Sequence, residues 1–254
     1  MPANILHAAL DDVLQRLDNA AASSGRPTPR LLAVSKTRSA TEVAELATAL
    51  IQAGSRRRIT EGTVLTPAFG ENYVQEARDK QDALARLASP PGTLEWHLIG
   101  HLQSNKASDA AVLFDWVQTV DRTKLVAALA RHRPVDRAPL NVLVQVNIDG
   151  EASKHGCRPD AVPVLAAAIA SEPRLALRGL MAIPAPAPDP ARRRDAFGRM
   201  RVLFDALVMD YPQADTLSMG MSEDLESAIA EGATMVRVGT ALFGARTSMT
   251  EIPR

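Results

Sequence analysis

Apolar positions along the chain fall into two alternating patterns. Short apolar or β-branched runs occur at Leu31 to Ser35, around Phe69, and at Trp96 to Ile99, Trp116 to Val120, Val142 to Val146, Leu177 to Ile183, Thr216 to Met219 and Met235 to Val238. Their length and composition predict eight strands. Between them lie segments of helical composition: Thr41 to Leu50, Tyr73 to Leu87, Gln103 to Phe114, Thr123 to His132, Asp160 to Ala170, Arg192 to Val208 and Ser222 to Ala230. An amphipathic helix precedes them all, with Ile5, Leu6, Leu10, Val13, Leu14 and Leu17 at helical spacing. Strands joined by crossovers of this length form a parallel sheet. Eight such units in 254 residues suit one closed (β/α)8 barrel spanning 1–254, with an extra N-terminal helix. The rival is an open doubly wound sheet. No Gly-x-Gly-x-x-Gly follows the first strand, which weakens a dinucleotide-binding version of it.

Two segments interrupt the alternation. Pro184 to Pro190 cannot be helix and is expected to run extended after the sixth strand. Gly54 to Ala68, which holds Arg56, Arg57 and Arg58, reads as an irregular insertion: a solvated loop, or alternatively a small basic contact patch.

The formal net charge is +0, so no global field recruits nucleic acid or an anionic membrane, and neither is expected as a partner. The first helix carries Asp11, Asp12 and Arg16 and is not a signal peptide. No apolar stretch reaches the ~20 residues of a membrane span. The single cysteine, Cys157, excludes an internal disulfide and a multi-cysteine metal site; it reads as structural and points to a reducing, cytoplasmic setting.

In such barrels the chemistry sits where strands end, at the C-terminal face. Lys36 leaves the first strand there. Partial desolvation would make it a nucleophile toward an aldehyde, although a strand-end lysine can also be an ordinary surface residue. Ser218-Met219-Gly220-Met221-Ser222 follows the seventh strand, with Ser222 as the expected N-cap of the next helix. Val236-Arg237-Val238-Gly239-Thr240 closes the eighth. Loops after strands seven and eight are the usual phosphate cradle of this fold. Plain capping would explain the same residues. Asn72, ending the second strand, could bond a ring substituent; His97 could line the pocket or be a satisfied core histidine. His97 and His101 have Gly100 between them and are not on a helix, so a zinc reading of that pair has poor support and no metal is expected. Lys154 reads as a turn residue, with a second basic group near the mouth as its alternative.

These strings resemble the pyridoxal phosphate homeostasis family of the YggS/PROSC type. The resemblance is carried by Leu32 to Thr37, Phe69 to Glu76, Trp96 to Lys106, Val146 to Ile148, Ser153 to Gly156, Arg178 to Ile183, Leu217 to Ser222 and Val236 to Gly244, in family order over nearly the whole chain. It implies a barrel like the N-terminal domain of alanine racemase and pyridoxal 5′-phosphate (PLP) held as a Schiff base on Lys36. It also implies phosphate contacts from Ser222, Gly239 and Thr240, and Arg237 beside the pyridine nitrogen. The departure is Gly54 to Ala68, where the family runs almost directly from Gly to Phe-Gly-Glu-Asn. A permanently charged guanidinium opposes protonation of the ring nitrogen, so carbanion chemistry is weakly supported. Alanine racemase adds a β-rich domain, a dimer and a tyrosine base across its interface. Here the chain ends at Arg254, just past the eighth strand, with Tyr73 and Tyr211 as its tyrosines. The expectation is a monomeric, non-catalytic PLP carrier that buffers the cofactor or delivers it to PLP-dependent apo-enzymes. The alternatives are a single-domain racemase-like PLP enzyme, and a barrel enzyme whose Lys36 condenses with a phosphorylated substrate.

Overall fold

The structure, a computed structural model, describes residues 3–56, 66–88, 92–151, 153–185 and 189–244. Eight parallel strands close in chain order: β1 Arg30–Val34, β2 Ala68–Glu71, β3 Glu95–Leu98, β4 Trp116–Val120, β5 Leu140–Val146, β6 Leu175–Ala182, β7 Thr216–Met221 and β8 Met235–Val238. The closing pair is β8 with β1, from Arg30 opposite Met235 to Ala33 opposite Val238. Outside them run α1 Ala3–Ser24, α2 Ala40–Arg56, α3 Val74–Ala85, α4 Ala107–Leu113, α5 Thr123–His132, α6 Val162–Ala170, α7 Pro190–Asp210, α8 Leu225–Ala230 and α9 Thr240–Phe243. Closure, rather than the open doubly wound sheet, leaves no strand edge unpaired.

Strand alternation divides the core in two. Ala33, Phe69, Trp96, Leu98, Val117, Val142, Val144, Leu217, Met219 and Val236 join the helices in one large outer cluster. Their neighbours in sequence form smaller clusters in the barrel's interior: Leu32 with Ala68, Ile99 and Met235, and Trp116 with Leu143 and Met181. Each buried Leu, Val or Phe contributes about 1.5–3 kcal/mol, so the fully buried outer shell dominates the fold. In α1 the apolar stripe Leu6, Leu10, Val13, Leu17, Ala21 is buried and packs against α2, α8 and α9. Arg16 on the same helix donates to the Ser222 carbonyl at 2.9 Å and pairs with Glu226 at 2.8 Å, pinning the turn after β7.

Several boundaries differ from the sequence reading, each for a local reason. Gly54 and Ser55 continue α2, and Ala68 already belongs to β2; residues 57–65, including Arg57 and Arg58, lie outside the described residues. Pro190 opens α7 instead of extending the loop, because proline is tolerated in a first turn; Asp189 caps it by accepting from the Ala191 N–H at 2.9 Å. Of the remainder of that loop, residues 186–188 lie outside the described residues. Ser222 is not the N-cap of α8: Asp224 is, and its carboxylate accepts from the Met221 N–H at 2.6 Å, closing a turn that delays the helix to Leu225. The short α9 was not expected from the sequence.

Candidate functional site

Lys36 sits in the turn that leaves β1, half-buried. The next residue, Thr37, has φ +65°, a left-handed conformation that a β-branched residue adopts only when its surroundings impose it. Glu76 accepts from the Thr37 N–H. Ser39 and Glu42 form a reciprocal capping box at the start of α2, with bonds of 2.8 and 3.2 Å. Beneath them lies a buried ionic cluster that no sequence pattern pointed to. Lys80 of α3 donates to the Ser35 carbonyl at 2.7 Å and to Glu71 at 2.5 Å, and reaches Glu76 at 3.2 Å. The Ser35 hydroxyl donates to Glu71 at 2.6 Å. Burial pushes the Glu71 carboxyl above its usual range despite Lys80, and its second oxygen has no partner. The cluster lies on the outer face of β1 and β2 and holds the Lys36 turn from behind.

Neighbouring strand ends bring the other candidates round it. In ring order β7, β8, β1 and β2 carry Ser222, then Gly239 and Thr240, then Lys36, then Asn72. Gly239 is the N-cap of α9, and a Cβ there would stand 3.3 Å from Val34 Cβ, so the β8 turn presses against the strand that ends in Lys36. At Gly220, φ +88° lets β7 bulge before the Ser222 turn. Asn72 is half-buried, and its carbonyl packs where a Cβ on Gly100 would lie, 2.1 Å away. Met219 faces the helices, so only its backbone is available to the mouth.

Arg237 and Ser218 point into the barrel. Both are buried. Arg237 donates to the Ser218 carbonyl and hydroxyl and to the Ala182 carbonyl, each at 2.8 Å. Burial pushes its guanidinium down to about 10, and only Asp224 pulls the other way. A buried charge held by two carbonyls and a hydroxyl, with no carboxylate in hydrogen-bond contact, favours an acceptor or anion beside it. A polar column continues below. The Ser218 hydroxyl donates to Gln118 at 2.7 Å, and Gln118 donates to His97 Nδ1 at 2.8 Å. His97 Nε2 meets Glu95 at 2.5 Å, and Glu95 pairs with Arg30 at 2.7 Å. The His97 ring stacks on Trp116, centroids 5.1 Å apart. His97 therefore has both ring nitrogens engaged inside the barrel, in a column that ends on Arg237. Gln118 and Glu95 had no signal in the sequence beyond their inward register.

The column sets a pH dependence. Burial raises the Glu95 carboxyl, but His97 and Arg30 outweigh it and hold the group at about 2; burial holds His97 below its ordinary 6.5. In both cases the unfolded chain takes up the proton first. Stability is therefore full above pH 6.5, falls as His97 is challenged below 6.5, and falls further between 4.5 and about 2 as Glu95 protonates. At 1.36 kcal/mol per unit, Glu95 accounts for up to about 3 kcal/mol. Denaturant midpoints should drop on acidification, and Glu95→Gln should flatten the lower limb. A midpoint constant from about pH 7 to about pH 3 would contradict the column.

The remaining candidates are structural. Lys154 donates to the Pro184 carbonyl at 2.7 Å and ties two mouth loops together, as a turn residue does. Cys157 is buried, and burial pushes its thiol up to about 12. Tyr73 is 66% exposed, and Tyr211 ends α7 at the opposite face of the barrel. Among the described residues no helix is long and apolar enough to cross a membrane.

Residues 8–247 match the family of the alanine racemase N-terminal domain. The chain is 49% identical, over 92% of its length and 93% of the relative's, to the pyridoxal phosphate homeostasis protein of Pseudomonas aeruginosa. Among solved structures it resembles PipY of Synechococcus elongatus with PLP bound, at 32% identity and TM-score 0.72, covering 94% of this chain and all of that one. The alanine racemase of Corynebacterium glutamicum shares the fold at 16% identity and TM-score 0.62, over 98% of this chain and 63% of that one.

Proposed function

The chain belongs to the pyridoxal phosphate homeostasis protein family, built on the alanine racemase N-terminal domain, and from that we propose that it binds PLP as a Schiff base on Lys36 and buffers or delivers it without catalysing a reaction of its own. One observation carries the reading. Adjacent strand ends gather an amine, two small-residue turns and a buried guanidinium without a carboxylate in hydrogen-bond contact. These fit three of the polar groups of PLP: aldehyde, phosphate and ring nitrogen. When bound, PLP supplies an aldehyde that condenses reversibly with primary amines.

The chain's own groups then have distinct tasks. Lys36 holds the cofactor covalently. Ser222, Gly239 and Thr240 offer hydroxyls and backbone N–H groups to the phosphate. Arg237 would face the ring nitrogen and, being charged, would disfavour its protonation, which weakens the electron sink available to carbanion chemistry. Ser218, Gln118 and His97 fix Arg237 from below. Asn72 would border the ring from the β2 side, and the Met219 backbone would shape the β7 wall. We further propose that the protein works as a monomer in the cytoplasm and that its recipients are PLP-dependent apo-enzymes.

Carrier and racemase differ in two measurements. Holo-protein mixed with a PLP-requiring apo-enzyme should restore that enzyme's activity. The same holo-protein, incubated in deuterated water with common amino acids, should leave Cα protons unexchanged. Cα exchange at enzymic rates would establish the racemase-like alternative instead.

A further inference from the structure

The mouth of the barrel has a second arc, across from Lys36 and the β7–β8 turns. There β3, β4 and β5 end in succession, and each delivers one metal-ligating residue: His101, Asp121 and His155. One ligand atom from each lies within 4.8 Å of the other two. The two imidazoles stack with centroids 3.7 Å apart and an interplanar angle of 16°. We propose that these three residues bind one divalent first-row transition-metal ion at the rim of the barrel.

The donor chemistry sets the class of ion. Two imidazole nitrogens and one carboxylate oxygen suit zinc, nickel or copper and disfavour magnesium and calcium, which take oxygen ligands. Both imidazoles are exposed at the rim, so an ion in solution can reach their ring nitrogens. The facing charges are Asp121, which attracts a cation, and Arg122, which opposes it.

The supports of the ligands are in place, as metal sites require. Arg122 donates to Asp121 at 2.6 Å and to the Leu102 carbonyl at 3.0 Å, fixing the carboxylate against the end of β3. The Thr119 hydroxyl holds the Gly100 carbonyl at 2.9 Å, one residue before His101. Gln145 donates to the His155 carbonyl at 3.3 Å. Zinc takes nitrogen and oxygen ligands at about 2.0–2.2 Å, so the three atoms must each close in by less than about 1 Å. Both histidines are exposed and can splay from the stack by rotating about their side-chain bonds. Three protein ligands leave a coordination position open to the mouth, as in sites that meet a small ligand.

The test uses the full chain, freed of PLP and treated with chelator, titrated with zinc by calorimetry and with cobalt(II) by visible absorption. One equivalent should bind, with cobalt giving the intense bands of a low-symmetry nitrogen–oxygen site. His101→Ala and His155→Ala should each weaken zinc about 100-fold or more. Asp121→Asn should weaken it less and leave the stoichiometry unchanged. Absence of a one-equivalent event, or affinity within about threefold of wild type in the double histidine variant, would overturn the proposal.

Discussion

Lys36→Ala protein should pass through gel filtration without PLP and give no borohydride-stable adduct, while its apo form unfolds at the same denaturant concentration as apo wild type. The first half follows from removing the amine that the proposal makes the covalent anchor. The second follows from position. Lys36 is half-buried in a turn, outside the apolar clusters, and the bonds that hold the turn come from other residues: Glu76 to the Thr37 N–H and Lys80 to the Ser35 carbonyl. Surface substitutions away from special features stay within about 0.5 kcal/mol. Undiminished covalent PLP in the variant would remove Lys36 from the account. A large loss of apo stability would mean that the lysine supports the fold.

Lys80→Met should have the opposite profile, with a loss of about 3–5 kcal/mol of stability. Lys80 is 5% exposed and Glu71 is fully buried, so removing the ammonium strands a carboxylate that already has one unpartnered oxygen. The Ser35 carbonyl loses its lysine donor as well. Replacing the pair together, Lys80→Met with Glu71→Leu, should recover much of the loss, because the buried carboxylate goes with its partner. Denaturant unfolding of the two single variants and the double variant measures the coupling. Additive losses would show that the pair does not act as a unit. The same variants probe function indirectly: with its support gone, the strained Thr37 turn should relax, and PLP should bind more weakly without losing its attachment to Lys36.

The fold was legible because each β/α unit wrote its own pattern. β4 and β8 begin and end where their apolar runs do, and α5 spans Thr123–His132 as its composition implied. The elements that escaped the sequence were set by local features too short to write a pattern. α8 starts at Leu225 because Asp224 bonds Met221, a turn preference that outweighs Ser222 as a cap. α9 has four residues, too few to display a period. The candidate site divides the same way. Strand-end position singled out Lys36, Asn72 and the two small-residue turns, and the closed barrel sets their ends side by side. The column beneath Arg237 joins Gln118 to Ser218 across 100 residues, and no local pattern announces such a bond. Inward register alone could have paired His97 with Gln118 or with any other inward polar group. Likewise Gly100 between His97 and His101 argued against a metal pair, and those two residues do part: His97 stays inside while His101 meets His155 at the rim.

Of the chain's five lysines, Lys36 alone should carry the cofactor. Loading the protein with PLP, reducing with borohydride, digesting, and locating the pyridoxyl group by mass spectrometry decides this. The peptide containing Lys36 should be modified and no other; Lys80, bound to Glu71 and the Ser35 carbonyl, should remain unmodified. No adduct, or one scattered over Lys80, Lys106, Lys124 and Lys154, would contradict it.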